Sequence, residues 1–409
     1  MSEKAVSTEE KRSPGKLVLP SLVVSRFATQ PPAILTGLLL IDIGLTFECS
    51  VGVMGQIRTA SAVASVIFAL LMGALSVRFN HKSLLVIGLL FLSLSALGSG
   101  LASNFGMMLV LYSITGLGVA MATPMGLTLV GEHFPREKRP SAIGWIMTGA
   151  AASYFICAPA IGFIADFGGW RWAFLAFVLP ICVLALLLAA KGLPATSKSP
   201  HSAISLGSYF EGFKGVFSNR SADACLVGSA LSGATWQALL LYSSSFNRQR
   251  FLVSTGLASI ILMVASVCFV VGNLVSGRLV KRFGMKPFTV LSALFTGIFV
   301  IFYTNVPSLW LSLVLGFLGS LFSGMRFTAS NSLTLEQVPG YRGTMMSIST
   351  AADQGGAALG ASVGGLLLLL FNYEGMAISL GAIGIAAAVI FQFLAIDPTR
   401  TEKGEQSSP

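Results

Sequence analysis

The sequence predicts an all-α integral membrane protein whose twelve transmembrane helices form two six-helix bundles related by pseudo-two-fold symmetry. Of its 409 residues, 54% are hydrophobic and only 10% are charged, with a mean hydropathy of +0.80. A typical soluble domain has about 25% charged residues. The apolar runs are long and lack a polar face, which excludes a soluble helical protein. The chain also repeats itself about half its length apart, which predicts the two bundles.

The repeat is carried by polar loops between the apolar runs. Gly73–Lys82 is matched by Gly277–Lys286, and Glu132–Pro135 is matched by Glu336–Pro339, so the offset is 204 residues in both cases. An offset close to half the chain indicates two halves of similar length. Parallel repeats built from apolar helices are typical of secondary transporters.

Twelve apolar runs are long enough to cross the membrane, since a helix needs about 20 apolar residues to span the hydrocarbon core. The predicted spans are 33–54, 58–77, 83–102, 107–130, 141–164, 172–193, 222–246, 256–279, 287–304, 308–333, 343–370 and 376–396. They divide the chain into a cytoplasmic tail at 1–32, an N-terminal bundle at 33–193, a cytoplasmic linker at 194–221, a C-terminal bundle at 222–396 and a cytoplasmic tail at 397–409. Residues 209–217 of the linker are predicted to form an amphipathic surface helix.

The distribution of basic residues predicts the topology. With the N-terminus in the cytoplasm, four of the 26 Lys and Arg residues lie outside, one lies within a span, and the other 21 lie on the cytoplasmic side. The outer four are Arg58, Arg171, Arg248 and Arg250. This bias follows the positive-inside rule and places both termini in the cytoplasm of a plasma-membrane protein. The net charge of +10 is therefore topogenic, and we expect a lipid bilayer rather than nucleic acid as partner.

The sequence offers no pattern of catalytic residues. The five cysteines lie in or beside apolar runs, without metal-ligand spacing. The histidines, His81, His133 and His201, all fall in predicted loops, and no phosphate-binding glycine-rich sequence is present. We therefore expect no metal, no cofactor, no disulfide framework and no enzymatic activity.

The loop repeat resembles the signature of the major facilitator superfamily, which reads roughly Gly-x-Leu-x-Asp-Arg-x-Gly-Arg-Lys between spans two and three. The matching residues of the two copies are Gly73, Leu75, Arg78 and Lys82, and Gly277, Leu279, Arg282, Gly284 and Lys286. Val77 and Lys281 stand at the acidic position, so the family's usual gating ion pair does not carry over. The resemblance covers nearly the whole chain. It implies a monomer that works by alternating access on a small molecule, with protons or sodium as coupling ion.

A second resemblance lies in span five. The stretch with Gly149, Pro159 and Gly162 is similar to the signature of proton-coupled antiporters, whose core is Gly-Pro-x-x-Gly, with Ala replacing the first Gly here. It implies an efflux transporter near the multidrug and metabolite antiporters, although the same small residues also suit plain helix packing. The fourth-span Arg-x-x-Gln-Gly pattern of drug antiporters is broken, with Tyr112 at the Arg and Thr115 at the Gln.

Four ionisable residues fall in predicted spans away from the last few residues at either end, where each costs about 2.5–3.5 kcal/mol on insertion scales and is a functional candidate by default. Asp42, near the middle of span one, is predicted either to bind a coupling proton or to be a buried acid that is hydrogen-bonded to a neighbouring helix. Glu48 is a second proton-coupling candidate that could instead reach the outer interface. We expect Arg326 of span ten and Asp353 of span eleven to pair at similar depth and to face Asp42 across a cavity. That pair is either structural or frees Arg326 for an anionic substrate when Asp353, itself a proton-coupling candidate, is protonated.

The family lines its transport path with spans one, four, seven and ten, so the resemblance implies further cavity residues there. Besides Arg326, they are Tyr112, Trp236, Gln237, Tyr242 and Asn331. Aromatic surfaces of this kind suit apolar or amphipathic ligands. The alternative for each residue taken singly is ordinary packing between helices or contact with lipid.

Three functions are compatible with these observations. The leading hypothesis is proton-coupled export of small drug-like or amphipathic organic molecules, which the span-five signature favours. The alternative within transport is proton-coupled symport of an organic anion or metabolite, which Arg326 and the Tyr112 substitution favour. A third hypothesis, from a different class, is a non-transporting membrane sensor or scaffold with the same fold.

Overall fold

The computed structural model describes residues 15–135, 138–194 and 206–397, and within these ranges the chain is helical without a strand. The α-helices of these ranges are α1 Val18–Ala28, α2 Pro31–Thr46, α3 Val51–Met54, α4 Gln56–Arg78, α5 His81–Gly100, α6 Phe105–His133, α7 Arg139–Trp172, α8 Leu179–Gly192, α9 Leu206–Phe217, α10 Arg220–Arg250, α11 Thr255–Phe283, α12 Met285–Thr304, α13 Leu309–Leu335, α14 Arg342–Leu370 and α15 Tyr373–Leu394. A π-helical turn, Ala173–Val178, joins α7 to α8. The predicted tails at 1–14 and 398–409 and the linker at 195–205 lie outside the described residues.

The described helices make twelve spans, as predicted. Eleven stretches are long and apolar enough to cross a membrane, and one of them, Ser141–Gly192, has 52 residues. A straight helix of that length would measure about 78 Å, whereas the hydrocarbon core is about 30 Å thick. Gly169, with φ +77° and ψ 176°, adopts a left-handed backbone that favours glycine and divides this stretch in two. Beyond it the chain returns, since Gly192 approaches Leu17 at the start of the first span.

The spans are numbered in chain order. Helices α1 and α2 form span 1, α3 and α4 form span 2, and α5 and α6 are spans 3 and 4. Helix α7 up to Gly169 is span 5, and the remainder through α8 is span 6. Helices α10 to α15 are spans 7 to 12.

Span 1 differs most from its prediction. It begins at Val18 and ends at Thr46, whereas the hydropathy pattern predicts 33–54. Arg26 and the prolines Pro31 and Pro32 lower the apolar and helical character of its first half, so this half is predicted as tail. In the structure, the helix ends at Ala28 and restarts at Pro31, and both pieces belong to one span. Span 2 starts at Val51, seven residues before its predicted start at 58. The other spans agree with their predictions apart from a few residues at their ends.

The ends of the spans define two faces. The terminal face holds the start of span 1 at Val18 and the end of span 12 at Leu394, and the distal face is the opposite one. Several helices that start at the distal face begin with a polar N-cap, such as Asn104, whose Oδ1 accepts a hydrogen bond from the Met107 N–H at 2.8 Å. Such caps satisfy backbone donors that the helix leaves unpaired. The sequence predicts that the terminal face is cytoplasmic.

The two halves meet along their distal ends. Span 2 packs on span 11, where a Cβ added to Gly52 would lie 2.5 Å from the carbonyl oxygen of Gly365. Span 5 packs on span 8, where a Cβ added to Gly162 would lie 2.7 Å from Oγ of Ser259. The offset of 204 carries Gly52 and Gly365 to positions 256 and 161, close to this second contact. The two seams are therefore related by the internal repeat, and their glycines allow helices to approach closely.

The predicted linker helix at 209–217 is present as α9. Gly212 packs against Thr344 in the first turn of span 11, and Gly215 packs against Tyr341, the residue just before that span. Val216 is fully buried in the same cluster as Met345. The linker helix is therefore attached to the C-terminal half.

Candidate functional site

Arg326 and Asp353 lie in the C-terminal half, on spans 10 and 11. Arg326 is only 1% exposed, and its Nε and Nη1 atoms are buried without a hydrogen-bond partner. Asp353 is half-buried and interacts electrostatically with Arg326. Among the side chains that the structure describes, Arg326 and Asp353 do not form an ion pair with an N–O distance of 4.0 Å or less. Arg326 is thus a buried cation whose donors its neighbouring carboxylate does not saturate.

The two side chains lie at similar depth in the membrane. Arg326 precedes the end of span 10 at Leu335 by about 14 Å, and Asp353 follows the start of span 11 at Arg342 by about 16 Å. Both helices are longer than the hydrocarbon core needs. The pair therefore lies well inside the membrane, on the terminal side of the distal seams.

The N-terminal half carries a polar cluster at the break in span 1. Nη1 of Arg26 donates to Oγ1 of Thr123 at 2.8 Å and lies 3.4 Å from Oγ1 of Thr29. Nε2 of Gln30 donates to Oγ1 of Thr29 at 3.0 Å, and the Tyr154 hydroxyl donates to Oε1 of Gln30 at 3.1 Å. Arg26, Gln30 and Tyr154 are half-buried, so they border accessible space. Substrate sites of secondary transporters often form at such interrupted helices.

Tyr112 lies next to this cluster and is fully buried. Its hydroxyl donates to the carbonyl oxygen of Pro32 at 3.0 Å and lies 3.1 Å from Oγ1 of Thr36. Arg58 lies beside Tyr112 and also interacts electrostatically with Tyr154. The sequence places Arg58 outside the cell, but span 2 starts about two turns before it and brings it inside the span. Tyr112 therefore holds the restarted part of span 1 against span 4.

Asp42 lies at the distal face rather than near the middle of span 1. Because that span begins at Val18, Asp42 falls in its last turn. Its carboxylate forms a two-point ion pair with Arg248 of span 7, with an Nη1–Oδ2 distance of 2.5 Å and an Nη2–Oδ1 distance of 2.9 Å. This pair joins the two halves, so Asp42 does not face Arg326 and Asp353 across a central cavity. Proton binding by Asp42 stays a prediction.

Glu48 lies beyond Asp42, in the loop between α2 and α3. Its side chain is exposed, and its backbone is left-handed with φ 54°. A residue other than glycine rarely adopts this conformation. The position fits the predicted alternative that Glu48 reaches the outer interface, and its role in proton coupling stays a prediction.

The remaining predicted cavity residues lie on spans 7 and 10. Trp236 is 7% exposed and stacks on Phe269, with ring centroids 5.0 Å apart. The Tyr242 hydroxyl donates to a backbone carbonyl of span 11 at 2.7 Å. Gln237 and Asn331 are half-buried. Trp236 and Tyr242 thus have partners within the C-terminal half, and substrate contact by all four residues stays a prediction.

The first copy of the loop signature lies at the terminal face. Gly73 is within span 2, Arg78 ends that span and is exposed, and Nζ of Lys82 donates to the carbonyl oxygen of Leu193 at 2.5 Å. Nδ1 of His81 and Oε1 of Glu132 are in contact between spans 3 and 4. The contacts of Lys82 and His81 therefore both stay within the N-terminal half.

The second copy of the signature connects spans 8 and 9. Gly277 and Arg282 lie in span 8, and the Arg282 guanidinium is 5.5 Å from the ring of its neighbour Phe283. Gly284 has φ +91°, which favours glycine, and it lets span 9 start directly after span 8. The Lys286 N–H donates to Oδ2 of Asp397 at 3.4 Å. This copy therefore anchors the segment that follows span 12.

The span-five signature divides its contacts between the two halves. A Cβ at Gly149 would lie 2.9 Å from the carbonyl oxygen of Val23, so this glycine seats span 5 on span 1. Gly162 forms the seam with span 8 described above, and Pro159 lies inside the helix between them. The signature thus provides close packing at one end and part of the distal closure at the other.

Sequence reasoning missed Arg26, Gln30 and Tyr154. The hydropathy falls near Pro31 and Pro32, so the sequence predicts Arg26 and Gln30 to lie in the tail. Tyr154 has no charged neighbour in the sequence that would indicate a functional role. The available signal was the apolar stretch 17–24, which precedes the prolines and is too apolar for a solvated tail. Read together with 33–46, it makes a span with a break in the middle.

Comparisons with known proteins agree with this architecture. The family model of the Major Facilitator Superfamily matches residues 23–256 and 245–409. The chain is 25% identical to the uncharacterized MFS-type transporter YceJ of Bacillus subtilis, over 88% of this chain and 90% of YceJ. It is 23% identical to the probable 4-methylmuconolactone transporter of Cupriavidus pinatubonensis, over 87% of this chain and 83% of that protein.

Other similarities are partial or concern the fold alone. The chain spans 25% of the length of the uncharacterized MFS-type transporter Rv1250 of Mycobacterium tuberculosis. It spans 28% of the probable multidrug resistance protein EmrY of Escherichia coli, at 32% identity over 145 residues. The crystal structure of a D-xylose–proton symporter superposes with a TM-score of 0.75 at 18% identity, over 93% of this chain and 97% of that one.

Proposed function

The chain belongs to the major facilitator superfamily, and on that premise we propose that it is a secondary transporter that carries a small organic anion together with protons. The observation that carries this proposal is the state of Arg326. A buried cation with two unpartnered nitrogen atoms is costly unless an anion completes its coordination. A carboxylate ligand can accept from such a guanidinium at two points.

Asp353 supplies the coupling to protons in this proposal. While Asp353 is ionised, it compensates the charge of its neighbour Arg326 and competes with an incoming anion. When Asp353 is protonated, Arg326 is left without a counter-charge and binds the anion. One proton and the carboxylate bound by Arg326 then cross the membrane together, so that the net charge around Arg326 and Asp353 is similar in the loaded and the empty site.

Alternating access requires that the distal seams separate. In the present conformation, the seams at Gly52 and Gly162 and the Asp42–Arg248 pair close the distal face. We infer that the half-buried residues around Arg26 and Asp353 are then reached from the terminal face. We place this face in the cytoplasm of the plasma membrane, because the bias of Lys and Arg favours that orientation. The conformation is therefore inward-facing.

Export of drug-like or amphipathic molecules in exchange for protons is the second candidate. It is supported by the place of Gly162, since a residue of the antiporter-like signature contributes directly to the distal closure. The partial similarity to EmrY points the same way. Against it, Trp236 and Tyr242, the aromatic residues expected to receive such a ligand, are already packed or hydrogen-bonded.

The test is proton flux in liposomes that contain the purified protein and a pH-sensitive dye. Carboxylates, organic cations and neutral amphiphiles are added one at a time to wild type, Arg326→Gln, Asp353→Asn and the control Arg250→Gln. Arg250 is a suitable control, since its side chain is 52% exposed at the distal face. We expect carboxylates alone to trigger proton entry in wild type and in the control.

The variants separate binding from coupling. We expect Arg326→Gln to abolish both anion uptake and proton flux. Asp353→Asn should retain the exchange of labelled anion across the membrane but carry no protons with it. Proton release triggered by cations or amphiphiles would instead establish export. Anion uptake that follows a sodium gradient, with no proton flux, would replace the proton as coupling ion.

A further inference from the structure

Arg26 is a second cation without a counter-charge inside the membrane. Its Nη1 is hydrogen-bonded to Thr123 and lies near Thr29, whose hydroxyl groups are neutral, and its Nε is buried without a partner. In the part of the chain that the structure describes, no carboxylate lies within 4.0 Å of it. The threonines hold the guanidinium in place but leave its charge uncompensated, which is costly in a membrane.

Arg26 and Arg326 lie at the same depth in opposite halves. Arg26 follows the start of span 1 at Val18 by about 12 Å, and Arg326 precedes the end of span 10 at Leu335 by about 14 Å. Span 1 faces the other half, since the Ser244 hydroxyl of span 7 donates to its backbone at 2.9 Å. Span 11, which carries the neighbour of Arg326, also packs across the seam. The two cations therefore lie on, or beside, helices that border the region between the halves.

The two guanidinium groups also share an unpaired edge. In both Arg26 and Arg326, Nε is buried without a hydrogen-bond partner. The Nε edge of a guanidinium is one of the edges that can bind a carboxylate at two points. At Arg26 the threonines occupy the opposite atom, Nη1, so no hydrogen bond of the described residues uses the Nε atom.

A chain of hydrogen bonds fixes the position of Arg26. The Tyr154 hydroxyl donates to Gln30, Gln30 donates to Thr29, and Thr29 lies 3.4 Å from Nη1 of Arg26. These groups come from span 5 and from the break in span 1. The break thus holds a cationic side chain in the N-terminal half.

We propose that the substrate is a small dianion, an aliphatic dicarboxylate in the simplest case, with one carboxylate bound by Arg326 and the other by Arg26. This inference rests on the proposed transport of organic anions and narrows its substrate class. A monocarboxylate would complete one guanidinium and leave the other without a partner. A dicarboxylate of matching length completes both and bridges the two halves.

The test compares dicarboxylates with monocarboxylates of equal carbon number. The purified protein in lipid nanodiscs is titrated with succinate, glutarate and adipate and with butyrate, valerate and hexanoate. Affinities are taken from the rise in unfolding temperature with ligand concentration. Wild type, Arg26→Gln, Arg26→Lys, Arg326→Gln and the control Arg250→Gln are measured in parallel.

We expect one dicarboxylate to bind wild type about 30-fold or more tightly than its monocarboxylate counterpart, as for a buried charge pair. Arg26→Gln should weaken the binding of the dicarboxylate, so that its affinity becomes similar to that of the monocarboxylate. Arg26→Lys should keep part of the preference, and Arg250→Gln should keep all of it. If wild type binds monocarboxylates and dicarboxylates equally, and Arg326→Gln loses binding, the proposal of a dianionic substrate is wrong. The proposed transport of organic anions is then still supported. Absence of binding by every carboxylate would overturn the proposed function itself.

The wild-type comparison also protects the test against a folding defect. If Arg26→Gln does not yield folded protein, the dependence of affinity on chain length and charge in wild type still decides. A preference for one dicarboxylate length that Arg26→Lys shifts or weakens supports two fixed cations. An affinity that only rises with carbon number, irrespective of charge, contradicts them.

Discussion

Arginine and aspartate lie side by side in two regions of this protein, and the two regions are built differently. At the distal face, Arg248 and Asp42 form a two-point ion pair at 2.5 and 2.9 Å. Inside the membrane, Arg326 and Asp353 interact electrostatically without an N–O distance of 4.0 Å or less, and two nitrogen atoms of Arg326 stay unpartnered. An arginine and an aspartate that pair fully can hold the distal face closed, whereas an arginine with unpaired donors can bind a ligand.

The two regions also differ in what they connect. The distal pair joins span 1 to span 7 and therefore one half to the other. The central pair lies entirely within the C-terminal half, on spans 10 and 11. A transport cycle must break the first when the distal face opens, whereas the second can move as a unit with its bundle. Substitutions in the two regions should therefore affect different measurable quantities.

The largest effect is expected at the central pair. Arg326→Gln removes the buried charge that the proposed anion needs, and the loss of one partner of such a pair costs about 2–5 kcal/mol. We expect anion uptake into liposomes to fall roughly 100-fold or more, while Arg250→Gln keeps wild-type uptake. If Arg326→Gln and wild type take up the anion at similar rates, Arg326 and Asp353 have no part in transport. The proposed functional difference between this pair and the Arg248–Asp42 pair would then be wrong.

The next effect is expected at the glycine seams, which share the distal closure with the ion pair. Gly52→Ala brings a Cβ to 2.5 Å from the backbone oxygen of Gly365, which must move. Overpacking of this kind costs about 1–3 kcal/mol and should shift the protein toward a conformation that is open at the distal face. Gly355→Ala is the matched control, because a Cβ there meets nothing within 4 Å.

The opening can be measured between two exposed distal positions. Leu45 and Leu252 are 75% and 87% exposed, and both can be replaced by cysteine in a background without the five native cysteines. Spin labels at these sites should report a longer distance in Gly52→Ala and an unchanged one in Gly355→Ala. A distance distribution in Gly52→Ala identical to that of the control would mean that the seam tolerates separation and does not limit closure.

A smaller effect is expected at the distal ion pair. Arg248→Gln removes a pair whose side chains are 14% and 31% exposed, so we expect a loss of about 1–2 kcal/mol and a roughly tenfold shift toward the open distal face. The same spin labels report this shift. The exchange Asp42→Arg with Arg248→Asp should restore the closed distance in part. If Asp42→Asn instead abolishes proton flux without opening the distal face, Asp42 is the coupling carboxylate and the assignment to Asp353 is wrong.

Most of the fold could be predicted from the sequence, because apolar length alone determines where a helix can cross a membrane. The repeat at 204 residues further predicted two equal halves, and the related seams at Gly52 and Gly162 follow it. Span 1 could not be placed by this means. Arg26, Pro31 and Pro32 lower the local hydropathy, and the contacts with spans 4 and 5 that help to stabilise the interrupted helix are not visible in the sequence.

The candidate site could be predicted less well, because its function depends on which charged side chains pair with each other in the folded protein. Arg326 and Asp353 were identified by their cost in the membrane, and the structure places them together. Asp42 was identified by the same rule, yet Arg248, its partner, lies 206 residues away and was assigned to the outside. Arg26 was missed altogether. A charge is a functional candidate by sequence, but only the fold tells whether it is already paired.

The smallest effect is expected at Tyr112. It tests whether the Tyr112 hydroxyl only stabilises span 1 or also contacts the substrate. Tyr112→Phe removes the hydroxyl that donates to Pro32 at 3.0 Å and leaves that carbonyl oxygen without this donor. We expect a loss of about 1–2 kcal/mol of stability, seen as a lower unfolding temperature in nanodiscs. Because Tyr112 is fully buried, anion affinity should fall by only about fivefold or less, through displacement of the neighbouring Arg26 cluster. A larger fall in affinity with unchanged stability would place the Tyr112 hydroxyl in contact with substrate, and would make the broken span of the N-terminal half, rather than the unsatisfied arginine of the C-terminal half, the dominant part of the site.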